Sequence, residues 1–313
     1  PPQPANGDLV AVLGPGDDIG AALALGGPGK RIQFRGGVYD YAFVDNIPSG
    51  QSWAQPMVLE AAPGETPLFR PAGGPYALSV QGAQSYLILR GLTHDGRNCD
   101  GPVARIDCNR ARYIRLHDCD LGWSPRSHGL VIRGEDITGP DAPVEVFGGR
   151  IHDNGAQWVG PISPPHGVYV TGVDRVLING TELDHHPHGA GFHLFGGGGR
   201  WGRLVRLRIH DSENGIVDDS DDGLIALCLV WRCGSAISPG RTELVAQNVL
   251  DSNENGITVG TFGNEGNRLL NNIVQRTTGG QPISLGTSQV VAEHNLVDTV
   301  IIGPLGGPWP QGT

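Results

Sequence analysis

The chain has 313 residues, among them 50 glycines and 24 prolines, with 6% aromatic and 17% charged residues and a formal net charge of −10. That acidity excludes a nucleic-acid binder, which needs a basic footprint, and no run of roughly 18 apolar residues offers a membrane-spanning helix. So many turn formers and so few charges suit an all-β chain dense in corners.

In chain order, PPQPANG reads as a linker left behind a removed export signal, which predicts a secreted or periplasmic protein. GDDIGAALALGG carries a helical apolar face behind Asp17 and Asp18, so residues 1–29 are expected to be a linker and a short capping helix that covers the first strands. KRIQFRGGVYDY and PMVLEAAPGETPLFRP then read as short strands joined at a Gly-Glu-Thr-Pro turn. Further on, SHGLVIRG, PHGVYVTG, HGAGFHLFG, ENGIVDD, CGSAISPG and ENGITVG share a polar turn that ends in glycine and leads into an alternating apolar run. Their marker glycines are Gly129, Gly167, Gly191, Gly215, Gly234 and Gly256, at steps of 38, 24, 24, 19 and 22 residues. A second strand such as VLINGTEL, LVRLRI or LIALCLVW lies upstream in each unit. The period-2 pattern is that of strands, and units this short leave no room for a helix. A repeated unit that cannot bury its own apolar face must stack on copies of itself.

On these repeats the chain resembles the right-handed parallel β-helix proteins of the pectate-lyase-like class, over about residues 30–300. The resemblance implies an all-β, single-domain solenoid, with residues 301–313 as a tail along the last coil. It also brings polysaccharide lyases and glycoside hydrolases into view, although fold alone does not choose between them. Some lyases of this class use a Lys and Arg pair; here Lys30 is the only lysine and stands near the cap, so arginine has to serve.

After each marker glycine the first residue should point inward and the second outward. One outer row then holds Val131, Tyr169, His193, Val217 and Thr258, and a second holds Arg133, Thr171, Phe195, Asp219, Ser238 and Gly260. Tyr169, His193 and Arg133 form a candidate lyase constellation, in which Arg133 neutralises a uronate carboxylate while Tyr169 or His193 removes the C5 proton. Thr171, Phe195 and Trp158 are candidate substrate contacts, with Trp158 in the GAQWVGPISPP loop as a wall for stacking on sugar.

Asp218, Asp219, Asp221 and Asp222 crowd four carboxylates into five residues. Three readings stand side by side: Asp219 and Asp222 as the acid and base of glycoside hydrolysis, Asp218 and Asp221 as calcium ligands, or a solvated turn. The run Asp221, Asp222, Gly223, Leu224, Ile225, Ala226 resembles the paired aspartates of polygalacturonase-like hydrolases, but their Asn-Thr-Asp and Gly-His-Gly segments are missing. Histidines concentrate over three coils, and Ile151-His152-Asp153 and Ile209-His210-Asp211 repeat in register, as metal ligands or as turn ladders. His128, His166 and His188 precede glycine where Asn214 and Asn255 stand in other coils, which predicts a left-handed backbone there. Of the five cysteines, Cys99 and Cys108 are the candidate disulfide pair.

The leading expectation is an exported enzyme that cleaves a polysaccharide, by hydrolysis at the aspartates ahead of elimination at Tyr169, His193 and Arg133. No cofactor beyond calcium is called for. A non-catalytic glycan-binding or surface β-helix and a metal accessory protein are the other classes; the oligomeric state is open.

Overall fold

The computed structural model describes residues 7–137, 144–160, 164–196, 200–260, 266–286 and 289–297. Within them the chain winds through three parallel sheets: sheet A of 12 strands, sheet B of 11 and sheet C of 10. One turn of the coil runs from Arg112–His117 in sheet A to Asp120–Gly122 in sheet B and Leu130–Ile137 in sheet C, and returns to sheet A at Val144–Phe147. Each strand pairs with its counterpart one coil away, as in Leu130↔Val168 and Val168↔Phe192. This is the right-handed parallel β-helix that the repeat predicts.

The solenoid starts earlier than residue 30, because Asp8–Leu13 is already a strand of sheet A and pairs with Lys30–Phe34. The capping helix spans Ile19–Leu23; the Asp18 carboxylate accepts the Ala21 N–H at 2.9 Å as its N-cap, and Ile19, Ala22 and Leu23 are buried. The expected tail, residues 301–313, lies outside the described residues.

Period-2 alternation sends every second side chain of a strand into the axis. Ile32, Leu59, Leu89, Leu116, Ile178, Leu204 and Ile225 are fully or almost fully buried in sheet A, and Ile106, Ile132, Val170 and Leu194 in sheet C. Near the cap the core becomes aromatic, with Phe34, Tyr39, Phe43 and Phe69 in edge and stacked contacts.

Corners demand left-handed residues, but not the expected ones. Asp118, Arg206, Leu227, Gln247 and Asn271 have positive φ between sheets A and B, and Asp153, His185, Asp211, Arg232 and Ser252 have it after sheet B. His128, His166, His188, Asn214 and Asn255 do not. What four of these share is a side-chain acceptor for the next coil: His128 Nδ1 accepts the His166 N–H, His166 Nδ1 the Ala190 N–H, Asn214 Oδ1 the Ser235 N–H and Asn255 Oδ1 the Gln281 N–H. Asn248, Asn272 and Asn295 make a similar amide ladder inside the coil.

All five cysteines are free and buried, so Cys99 and Cys108 form no bridge. Burial pushes their thiols up, to about 11 at Cys99 and about 12 at Cys108.

His94 is fully buried between Phe43 and Phe69, and neither ring nitrogen has a hydrogen-bond partner among the described residues. Desolvation pushes it down to about 3 from 6.5. As pH falls below 6.5 the unfolded chain takes up a proton that the folded chain refuses, so stability is lost toward pH 3 by up to about 1.4 kcal/mol per pH unit. His94→Leu is expected to flatten this acid slope; urea unfolding at neutral and mildly acidic pH checks it, and an unchanged slope would contradict the assignment.

Candidate active site

The outer face of sheet C brings several of the candidate residues together. Its register sets Ser79, Arg105, Val131, Tyr169, His193, Val217 and Ser238 in one row across the coils, and Asp107, Arg133, Thr171 and Phe195 in the next. Ser238 therefore stands beside Val217, not in the row of Asp219 as expected, because the residue opposite Gly215 is Ala236 and Gly234 lies two residues before it.

His193, Tyr169 and Phe195 converge in aromatic contact: Tyr169 lies 5.5 Å from His193 edge-on and 6.2 Å from Phe195 in a stack. His128 stacks on Tyr169 from the preceding turn at 4.9 Å. Burial, and then the nearby Asp219 charge, raise the Tyr169 hydroxyl above its ordinary 10, so it stays a phenol.

His166 completes the group, and sequence reasoning placed it only in a turn. Its Nδ1 accepts the Ala190 N–H at 2.9 Å, so the proton of a neutral ring must sit on Nε2. That nitrogen faces His193 Nδ1 at 3.0 Å and donates to it. His193 in turn carries its proton on Nε2, 3.6 Å from an Asp219 carboxylate oxygen. A single backbone N–H thus fixes two imidazole tautomers in series. Burial, together with His193, His128 and His186, pushes His166 down to about 2, so it remains a neutral relay. The sequence signal was His166 in the marker turn, one coil ahead of an outward His193.

Arg133 donates its Nε to Asp107 at 2.9 Å; the guanidinium is half exposed, and no other side chain pairs with it among the described residues. Trp158 sits at the opposite edge of the sheet, 5.6 Å from His188, with its backbone tied to Gly155. Residues 161–163 of that loop lie outside the described residues.

The four aspartates part company. Asp219 is exposed and faces His193. Asp218 turns inward and is buried; its Oδ1 accepts the Ser220 N–H at 2.9 Å, while Glu243, also buried, approaches from the next coil through Ser220. Asp221 is clasped by the Arg241 guanidinium at 2.8 and 2.7 Å, and Asp222 accepts the Thr242 hydroxyl at 2.7 Å. Alternation along the strand separates Asp218 from Asp219, and the corner separates Asp221 and Asp222 from both. Asp218 and Asp221 therefore do not fit a calcium site, and Asp219 and Asp222 do not face each other as an acid and base pair.

On sheet B, Asp184, His185 and His210 offer three ligand atoms within 4.8 Å. Arg150 already holds both Asp184 oxygens at 2.8 and 2.5 Å, and His210 is spanned by Asp211 and Glu182 at 2.7 and 3.1 Å. His152 is spanned likewise by Asp153 and Asp120. The repeated His-Asp turns are hydrogen-bonded ladders.

Asp218 and Glu243 share one interior site with no counter-cation facing them among the described residues; desolvation raises both, and the Asp218 charge adds to it at Glu243, which lies well above its ordinary 4.5. The unfolded chain sheds the Glu243 proton above about 4.5 while the folded chain keeps it, so stability falls as pH rises from there. Glu243→Gln is expected to unfold at higher temperature than the parent at pH 7 and to lose part of that slope in a melting series. For His166, nitrogen NMR of the imidazoles is expected to show a neutral ring protonated at Nε2 down to about pH 4; a ring that titrates near 6.5 would refute the relay.

Neither a protein-family model nor a curated protein sequence matches the chain. Solved structures do: pectate lyase Pel9A superposes with a TM-score of 0.58 at 14% identity, over 92% of this chain and 80% of that one. The PL6 family alginate lyase AlyGC gives 0.58 at 16% identity over 91% of this chain, which spans only 40% of AlyGC. ORF18 of Geobacillus virus E2 gives 0.56 at 14% identity, over 92% of this chain and 60% of that one. The chain thus has the parallel β-helix fold of the pectate-lyase-like class.

Proposed function

We propose that the protein is a polysaccharide lyase that cleaves an acidic, uronate-containing glycan by β-elimination on the outer face of sheet C. The observation that carries this reading is the chain from the Ala190 N–H through His166 and His193 to Asp219, set beside Tyr169 and Arg133. Two structural neighbours, by their names, act on pectate and alginate, both uronate polymers, which supports the substrate class. Hydrolysis by Asp219 with Asp222 loses its ground, since Asp222 is engaged with Thr242.

The geometry alters the expected roles. His193 presents an N–H and not a lone pair to the groove, so it is a poor base in this tautomer. Asp219 takes the C5 proton, with the His193 N–H steadying its carboxylate as it does so. Arg133 meets the sugar carboxylate and stabilises the charge that develops when the C5–H bond breaks. Electrons from that bond form the C4–C5 double bond as the C4–O bond breaks, and the Tyr169 phenol gives its proton to the leaving oxygen. Asp219 then returns its proton to solvent and Tyr169 regains one.

With pectate or alginate as substrate, an unsaturated product that absorbs in the ultraviolet is expected. Asp219→Asn, His193→Ala and Tyr169→Phe should each lower kcat by about 10²–10⁴-fold. Reducing ends without absorbance would mean hydrolysis, and binding without turnover would mean a glycan-binding module; either outcome overturns the proposal.

A further inference from the structure

Among the described strands of sheet C, two carry arginine, Arg133 and Arg105. Arg133 is paired with Asp107. Arg105 makes no ion pair among the described residues, although the chain as a whole carries a net charge of −10. It lies in the row of Tyr169 and His193, with Val131 between, which puts it two strand spacings, about 9.6 Å, from Tyr169.

Its environment holds the guanidinium in place without neutralising it. Nη1 donates to the Tyr76 hydroxyl at 2.7 Å, and the guanidinium carbon lies 5.7 Å from the Tyr76 ring centre. The ring is backed by Gly101, where an added Cβ would come within 3.3 Å of it and within 2.6 Å of the Pro75 carbonyl oxygen. Nε is buried and lacks a partner among the described residues. A half-buried, oriented guanidinium with donors to spare and no carboxylate of its own is built for an anion from outside.

We propose that Arg105, steadied by Tyr76, is a second carboxylate subsite on the groove, taking the uronate of a sugar one or two rings away from the ring cleaved at Tyr169. This rests on the acidic-glycan reading above and adds polarity to it: the polymer runs across the coils, with its acidic groups gripped on the Arg105 side. Neutral polymers and short substrates that end before Arg105 gain nothing from this contact.

Binding of polygalacturonate and of alginate to His193→Ala, in which turnover is strongly slowed, is measured by calorimetry and compared with the same protein carrying Arg105→Ala or Arg105→Lys, with melting curves to confirm folding. Arg105→Ala is expected to weaken binding of the preferred polymer about ten-fold or more, Arg105→Lys to restore part of it, and the carboxyl-reduced polymer to bind all three alike. In the otherwise unaltered enzyme, Arg105→Ala should raise KM for the polymer and leave kcat within a few-fold. Tight binding by His193→Ala that Arg105→Ala leaves unchanged would overturn the subsite while the lyase reading stands. No binding and no turnover of either polymer by the parent protein would overturn both.

Discussion

Backbone hydrogen bonds between successive coils hold each outer side chain about 4.8 Å from its counterpart one coil away. Everything proposed for sheet C depends on that spacing. It brings Tyr169 beside His193 although 24 residues separate them, and it lets a turn residue such as His166 reach the ring that follows it one coil on. A solenoid offers an extended face along its coils. It gathers side chains there by stacking, and a groove one row wide is a natural path for a linear polymer.

The same spacing explains the economy of the histidine relay. His166 is already needed as an acceptor for the Ala190 N–H, the role that Asn214 plays for Ser235. An asparagine there would satisfy the coil equally well. The second nitrogen of the imidazole then reaches outward to His193. A structural ladder position thereby also orients the His193 ring, at a site that stays uncharged because it is buried.

The fold was legible because coil period and period-2 alternation are written in side-chain type, and the outward row of Val131, Tyr169 and His193 followed from counting after each glycine. Counting failed where the marker glycine is out of register, as Gly234 is ahead of Ser238, and where neighbours in sequence diverge in space, as the four aspartates do. Asp218 and Asp219 differ by one residue and end on opposite sides of the wall. The left-handed positions were misplaced because Arg206, Leu227 and Arg232 bear no turn signature; the coil imposes the conformation on them. Nothing in a list of residues reveals that His166 has its Nδ1 occupied, and from that one fact His193 changes from a base to a donor.

The five buried thiols bear on how the molecule meets its surroundings. Each is protonated and shielded, so neither the chain's shape nor its persistence depends on an oxidising compartment. Cohesion comes instead from contact between adjacent coils, with no covalent staple joining distant ones. Such a rod answers a reductant with indifference, and it yields to heat or force from its ends, losing one coil at a time where a cross-linked domain would hold until it failed as a whole.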